Sequence, residues 1–249
     1  MENDLYNYSK YIFVFAHPDD EIYCCCLMRK LISLGKEVKA ALVTSGDYAG
    51  EGELRERELK GSMKIIGVKP ENTHLLKIHE REILNNIKKI VSKLVDIANE
   101  FNPDCIVGQD YEGGHNGHDA VSFATQETVK KLGINNFYVF PVYWGNPETR
   151  KGARFKPERK DFIAIPCAPD DTELKKGIKK CHASQRNYFK KLEIASADYL
   201  DLLYGREVFY KVQEEINFKE RPTQDIGYEF SGQFTFEGFH EALEKYYNS

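Results

Sequence analysis

Five consecutive apolar residues, Ile12 to Ala16, run directly into His17-Pro18-Asp19-Asp20-Glu21, and an amphipathic stretch follows. This order leaves few folds open. A short apolar run closed at a proline step reads as a buried strand. A strand that feeds a helix delivers its first side chains beyond the strand to one edge of a sheet, where ligands bind in open α/β folds. An imidazole and two neighbouring carboxylates reach that edge together, which is half of a metal site with a spare base beside it.

The same step recurs along the chain. Tyr23, Cys26, Leu27, Leu31 and Leu34 share one stripe at helical spacing, which predicts a helix over 20–34 stopped by Gly35. Strands are predicted over 38–43, 73–77, 105–108 and 137–142, and helices over 53–66, 83–101 and 119–132. Strand and helix alternate, so the fold class is α/β: a Rossmann-like, mainly parallel sheet with helices on both faces. Beyond Trp144 the pattern predicts a loop over 145–159, a strand over 162–165 and a helix over 170–190 with Asp170 or Asp171 as its N-cap. The chain reads as one domain, 1–249, with a core of 10–212 and an aromatic-rich C-terminal extension over 213–249. Those aromatics, Phe218 and Phe239 among them, pack on the core or form a subunit contact, which leaves a homo-oligomer open.

Charge and apolar patterning narrow the partners. Net charge is −4 with acids and bases interspersed, and no basic tract has the density of a nucleic-acid footprint. No apolar run approaches membrane-spanning length, and Met1 to Lys10 lack the order of a signal peptide. The expectation is a cytoplasmic protein with no nucleic-acid partner and no membrane span. Six cysteines include three in a row and no CxxC pair. They read as small core residues in a reducing compartment, with a thiolate metal site as the alternative.

A second polar cluster, Gly113-Gly114-His115-Asn116-Gly117-His118-Asp119, also lies between a predicted strand and a predicted helix. Two strand ends of one parallel sheet aim their loops at the same edge, so His17, Asp19, Asp20, His115 and His118 converge in this reading. Two histidines and a carboxylate suit a catalytic divalent ion that keeps a position open for water. A further carboxylate nearby can take the proton from that water and pass it on. The bland alternative is equally physical: Asp19 and Asp20 as N-terminal helix charges, and His118 as a satisfied residue at a helix start.

The combination resembles a known family. Ala16-His17-Pro18-Asp19-Asp20-Glu21 is similar to the AHPDDE signature of the PIG-L/LmbE-like zinc-dependent N-deacetylases, and His115 to His118 is similar to their HxxH motif. Arg55-x-x-Glu58, His182-x-Ser184-Gln185 and Glu207-Val208-Phe209 resemble later segments, in family order. The resemblance implies zinc held by His17, Asp20 and His118, with Asp19 as general base and His115 as the group that stabilises the transition state. It implies Arg55 and His182 as substrate contacts. Ferrous iron or cobalt would also suit this donor set. The chain departs from the family in carrying Asn116-Gly117 where Pro-Asp is usual, so Asp110, Glu112 or Asp119 would have to orient His115. Gly113 stands where some members carry a tyrosine.

The expected function is therefore a metal-dependent hydrolase that removes an N-acetyl or other N-acyl group from an amino sugar or sugar conjugate through a zinc-activated water. The rivals are an amidase acting on a non-sugar N-acyl metabolite or antibiotic intermediate, and a sugar-binding homologue without catalysis.

Overall fold

The computed structural model describes residues 2–48 and 50–248. Its first half is the predicted alternation: β1 (Lys10–Phe15), α1 (Cys25–Ser33), β2 (Glu37–Thr44), α2 (Gly52–Ile66), β3 (Thr73–Ile78), α3 (Ile87–Phe101), β4 (Cys105–Gln109), α4 (Asn116–Leu132) and β5 (Phe137–Phe140). The second half adds β6 (Tyr143–Trp144), β7 (Lys151–Gly152), β8 (Ile163–Pro166), α5 (Pro169–Cys181), α6 (Arg186–Ala195), α7 (Tyr199–Gly205), β9 (Arg206–Lys211) and α8 (Phe236–Tyr247).

Seven strands form one sheet in the order β3-β2-β1-β4-β5-β9-β8. The pairings from β3 through β5 are parallel, and β9 then runs antiparallel to both β5 and β8. Side chains alternate across the sheet with period two. Tyr11, Phe13 and Phe15 of β1 enter a core with α1, α2 and α5, while Ile12, Val14 and Ala16 face α3, α4 and α8. Both faces are covered, as a parallel sheet requires, so the α/β class with flanking helices holds.

The differences from expectation lie where polar groups interrupt an apolar stripe. The helix expected over 20–34 is a 3-10 turn at Asp20–Tyr23, then a break at Cys24, then α1. Glu207 causes the restart: its carboxylate accepts the amides of Cys26 and Leu27, both at 2.9 Å, and caps the new helix. The helix expected over 170–190 is broken at His182 into α5 and α6, joined by a 3-10 turn at Ala183–Gln185. Neither Asp170 nor Asp171 is its N-cap. Ala168 takes that place before Pro169, and Asp171 reaches back to accept the Ala168 amide at 2.9 Å. Helix α4 starts three residues earlier than predicted, with His115 as its N-cap. The 145–159 segment is not wholly irregular, since β7 lies inside it and pairs with β6 just before it.

The C-terminal aromatics pack largely on the body of the molecule. Phe218 lies 4.7 Å from Tyr111 and 5.3 Å from Phe123 between ring centroids, and Tyr246 lies 5.4 Å from Phe123. Phe230 and Tyr247 stay exposed. Among the described residues no helix is long and apolar enough to cross a membrane.

Candidate active site

The carboxyl ends of β1 and β4, adjacent strands in the sheet, bring the two polar clusters together. His17 Nδ1 stands 3.1 Å from His118 Nε2 and 3.4 Å from an Asp20 oxygen, and the other Asp20 oxygen is 3.5 Å from His118 Nε2. The His115 ring lies 4.8 Å from that of His17 and 5.1 Å from that of His118. Asp19 adjoins this group, and all five line one cavity of about 340 Å³. A larger cavity of about 520 Å³ lies between residues 215–219 and α8, away from these groups.

The turn that carries Asp19 is built by several contacts. Asp19 has φ 117°, a left-handed backbone that costs a residue with a Cβ roughly 1–3 kcal/mol unless its surroundings hold it. Glu21 accepts the Asp19 amide at 2.9 Å, and the Asp20 carboxylate accepts the His17 amide at 2.8 Å. Gln109, at the end of β4, accepts the Ala16 amide and donates to Asp20 at 3.1 Å, tying the two strand ends together. Arg55 donates to the carbonyls of Gly46 and Pro18 and stands 3.3 Å from Asp19. Gly46 is required there, because a Cβ would fall 2.1 Å from the Arg55 guanidinium.

The second loop is held differently. Asp119 accepts the amides of Glu112 and Gly113, both at 3.1 Å, and Glu112 accepts those of Val142 and Tyr143. Asp110 pairs with Arg159 at 2.7 Å. Asp119, Glu112 and Asp110 thus fix the loops around His115, while the contacts made by the ring itself come from elsewhere. His115 Nδ1 accepts the Gly117 amide at 3.0 Å, and Nε2 faces a Glu80 oxygen at 3.8 Å.

Glu80, just beyond β3, is the site residue that motif spacing missed. It lies 2.9 Å from His17 Nε2, and its second oxygen is buried without a partner. Its only sequence signal is its place after a strand of the same sheet edge. Gln109, Tyr143 and Tyr188 were missed as well, because they lie outside the histidine- and acid-rich motifs.

Burial and neighbouring charge divide the titrating groups. Asp19 is pushed up to about 7, first by burial and then by the charge of Asp20. Burial would raise Asp20 as well, but His118 and His17 outweigh it and hold the acid well below the usual carboxylate range. Burial and the charge of His17 push His115 down to about 3. Burial opposes a proton on His17, yet Glu80 and Asp20 raise it to about 10. Glu80 itself lies at about 2, because His17 outweighs its burial.

The donor set fits a metal ion. Ligand atoms roughly 2.0–2.1 Å from a tetrahedral ion lie about 3.3 Å apart; His17 Nδ1 and His118 Nε2 are 3.1 Å apart, and Asp20 approaches them with different oxygens, at 3.4 and 3.5 Å. Asp20, at His17 Nδ1, favours a cation there, while Glu80 faces the opposite nitrogen, Nε2. His118 Nδ1 is buried without a partner. A looser grouping, with ligand atoms within 4.8 Å of one another, takes in His115 together with His17 and His118. The tighter set is favoured because His115 Nδ1 is already engaged by Gly117.

The two residues expected to contact substrate sit apart from one another. Arg55 lines the cavity, though two of its nitrogens are taken by backbone carbonyls. His182 is fully buried and reaches the site only through Glu21, 2.5 Å from its Nε2. Ser184 and Glu58 of the later motifs bond to each other, and Gln185 lines the cavity. Among the cysteines, Cys25 and Cys26 lie 3.9 Å apart beside Glu207, in a buried cluster away from this cavity.

The chain is similar to known proteins. The family model PIG-L, GlcNAc-PI de-N-acetylase, matches residues 12–129. A probable N-acetylglucosaminyl-phosphatidylinositol de-N-acetylase of Dictyostelium discoideum is 27% identical over 132 residues, 49% of this chain and 50% of that protein. The chain thus spans about half the length of that curated relative. A conserved protein from Thermus thermophilus superimposes with a TM-score of 0.64 at 17% identity, over 84% of this chain and 96% of that one. N,N'-diacetylchitobiose deacetylase from Pyrococcus horikoshii does so with a TM-score of 0.61 at 19% identity, over 85% and 86%. These two structures share the fold.

Proposed function

We propose, for a chain whose residues 12–129 match the PIG-L family, that the protein is a metal-dependent hydrolase removing an N-acetyl or related N-acyl group from an amino sugar or sugar conjugate. The observation that carries this reading is the convergence of His17, Asp20 and His118 at ion-binding spacing with Asp19 beside them in one cavity.

His17, Asp20 and His118 would hold the ion, zinc being the natural choice for two imidazoles and a carboxylate. When bound, it supplies Lewis acidity toward the amide carbonyl and makes water more acidic. Asp19, raised to about 7 by burial, is poised as a general base near neutral pH. It takes the proton of the attacking water and returns it to the leaving amine, so the C–N bond breaks to give free amine and carboxylate. His115 Nδ1 accepts the Gly117 amide, so its neutral ring carries its proton on Nε2, the atom on the cavity side. From there it donates to the oxygen on which charge develops. Arg55 shapes the Asp19 turn and offers its remaining edge to the substrate, while His182 supports that turn through Glu21.

Asp19→Asn is the direct test. Amine release from N-acetylated sugars should fall about 10²- to 10⁴-fold, while bound metal measured by elemental analysis stays at the wild-type level. Unchanged turnover would overturn the mechanism.

A further inference from the structure

All six cysteines are free thiols, and three of them meet in one cluster that the proposed chemistry leaves unused. Cys26 Sγ has a sulfur on either side, 3.9 Å from Cys25 Sγ and 3.9 Å from Cys167 Sγ. The first two stand at the start of α1. Cys167 comes from the chain between β8 and α5, where its amide donates to the Gly205 carbonyl at 2.9 Å. Cys25 and Cys26 are buried, while Cys167 is half-buried and opens the cluster to solvent. Glu207 groups with Cys25 and Cys26 within 4.8 Å, but both of its oxygens accept α1 amides and one also faces Lys175 at 3.2 Å. Glu207 and Lys175 cancel in charge, which leaves three sulfurs as the available donors in a neutral interior. Burial pushes the Cys25 thiol up, so it keeps its proton.

We propose that Cys25, Cys26 and Cys167 form a second metal site, one for a soft monovalent ion of the copper(I) class. An ion roughly 2.3 Å from each sulfur sees two sulfurs 3.9 Å apart at an angle of about 115°, between tetrahedral and trigonal. Thiolate sulfur suits both copper(I) and zinc, and charge and ligand count decide between them. Copper(I) displaces one thiol proton: an S–Cu bond replaces an S–H bond, the proton leaves to water on the Cys167 side, and the interior stays neutral. The other two sulfurs bind through lone pairs. Zinc would demand a second proton and a fourth ligand, which Glu207 is not free to supply. The chain thus sorts two ions by softness, nitrogen and oxygen donors at the cavity and sulfur donors at the start of α1. Nothing in the sulfur site depends on deacylation.

The test is made on the full chain, reduced and without oxygen. Copper(I) held by the coloured chelator bicinchoninate is offered to the wild type and to C26S/C167S. The wild type should extract a single copper, seen as loss of chelator colour, and folded C26S/C167S should extract none. X-ray absorption of the wild-type complex should show sulfur neighbours only, and equimolar zinc should not displace the copper. Copper should also slow alkylation of Cys167, followed by mass spectrometry, and leave that of half-buried Cys181 unchanged. This last measurement needs no variant, so it decides the matter if circular dichroism shows C26S/C167S unfolded. No uptake, uptake that survives in folded C26S/C167S, displacement by zinc, or an unshielded Cys167 overturns the proposal. A shell of nitrogen or oxygen overturns it as well and assigns the copper to the histidine cavity.

Discussion

Two histidine–carboxylate pairs lie on either side of the Asp19 turn, and they differ in what surrounds them. His17 meets Glu80 at 2.9 Å and His182 meets Glu21 at 2.5 Å. The first pair lines the cavity, and its His17 Nδ1 points to two further ligand-type atoms. The second is sealed at 0% exposure, and Glu21 spends its remaining capacity on Ser62 and the Asp19 amide. In the proposed mechanism the same two residue types thus serve as machinery in one place and as scaffold in the other. The difference lies in whether the histidine's second nitrogen has another donor atom to share an ion with.

That contrast can be broken by substitution. Glu21→Ala should have the largest effect on stability, about 3–5 kcal/mol, because it leaves His182 and the Asp19 amide unsatisfied in the interior. Chemical denaturation measures it, and a loss below about 1 kcal/mol would place the sealed pair outside the scaffold. Glu80→Gln should leave stability nearly unchanged but weaken metal binding about 10- to 100-fold, since a carboxylate behind a ligand histidine fixes its ring and tautomer. A competition titration against a zinc chelator checks this, and wild-type affinity would make Glu80 a bystander. Ser184→Ala should have the smallest effect, about 1 kcal/mol, through loss of its 2.6 Å hydroxyl bond to Glu58. Metal affinity should stay constant in that variant, which sharpens the division between scaffold and site.

The sheet and the two polar loops were legible because each is signalled locally. Ile12 to Ala16 and Cys105 to Gly108 are apolar runs that end in polar clusters, and parallel topology places such ends together. Glu80 was hidden because it is one acid among 39 Asp and Glu residues and sits in a charged run, His79 to Glu82. Only the position of β3 in the sheet makes it part of the site. The breaks at Cys24 and His182 were hidden for a related reason. Apolar residues continue at helical spacing across both, while the carboxylates met beside these breaks lie far off in sequence, Glu207 180 residues from Leu27 and Glu21 161 from His182. Local pattern records which face a residue takes; it does not record a distant carboxylate claiming a backbone amide or a side chain.

The cap that Glu207 places on α1 has a consequence for how the molecule comes into being. Every residue of the histidine cavity proposed to hold metal or move a proton has been synthesised by His118, yet the helix behind the Asp19 turn waits for β9. Glu207 also carries Lys175, 3.2 Å away, into the interior as a compensated charge, so both arrive late and together. At roughly 5–20 residues per second, a ribosome making this chain spends several seconds between exposing the ligands and supplying the carboxylate that caps α1. The start of α1 is therefore completed only when the last strand of the chain docks beside it.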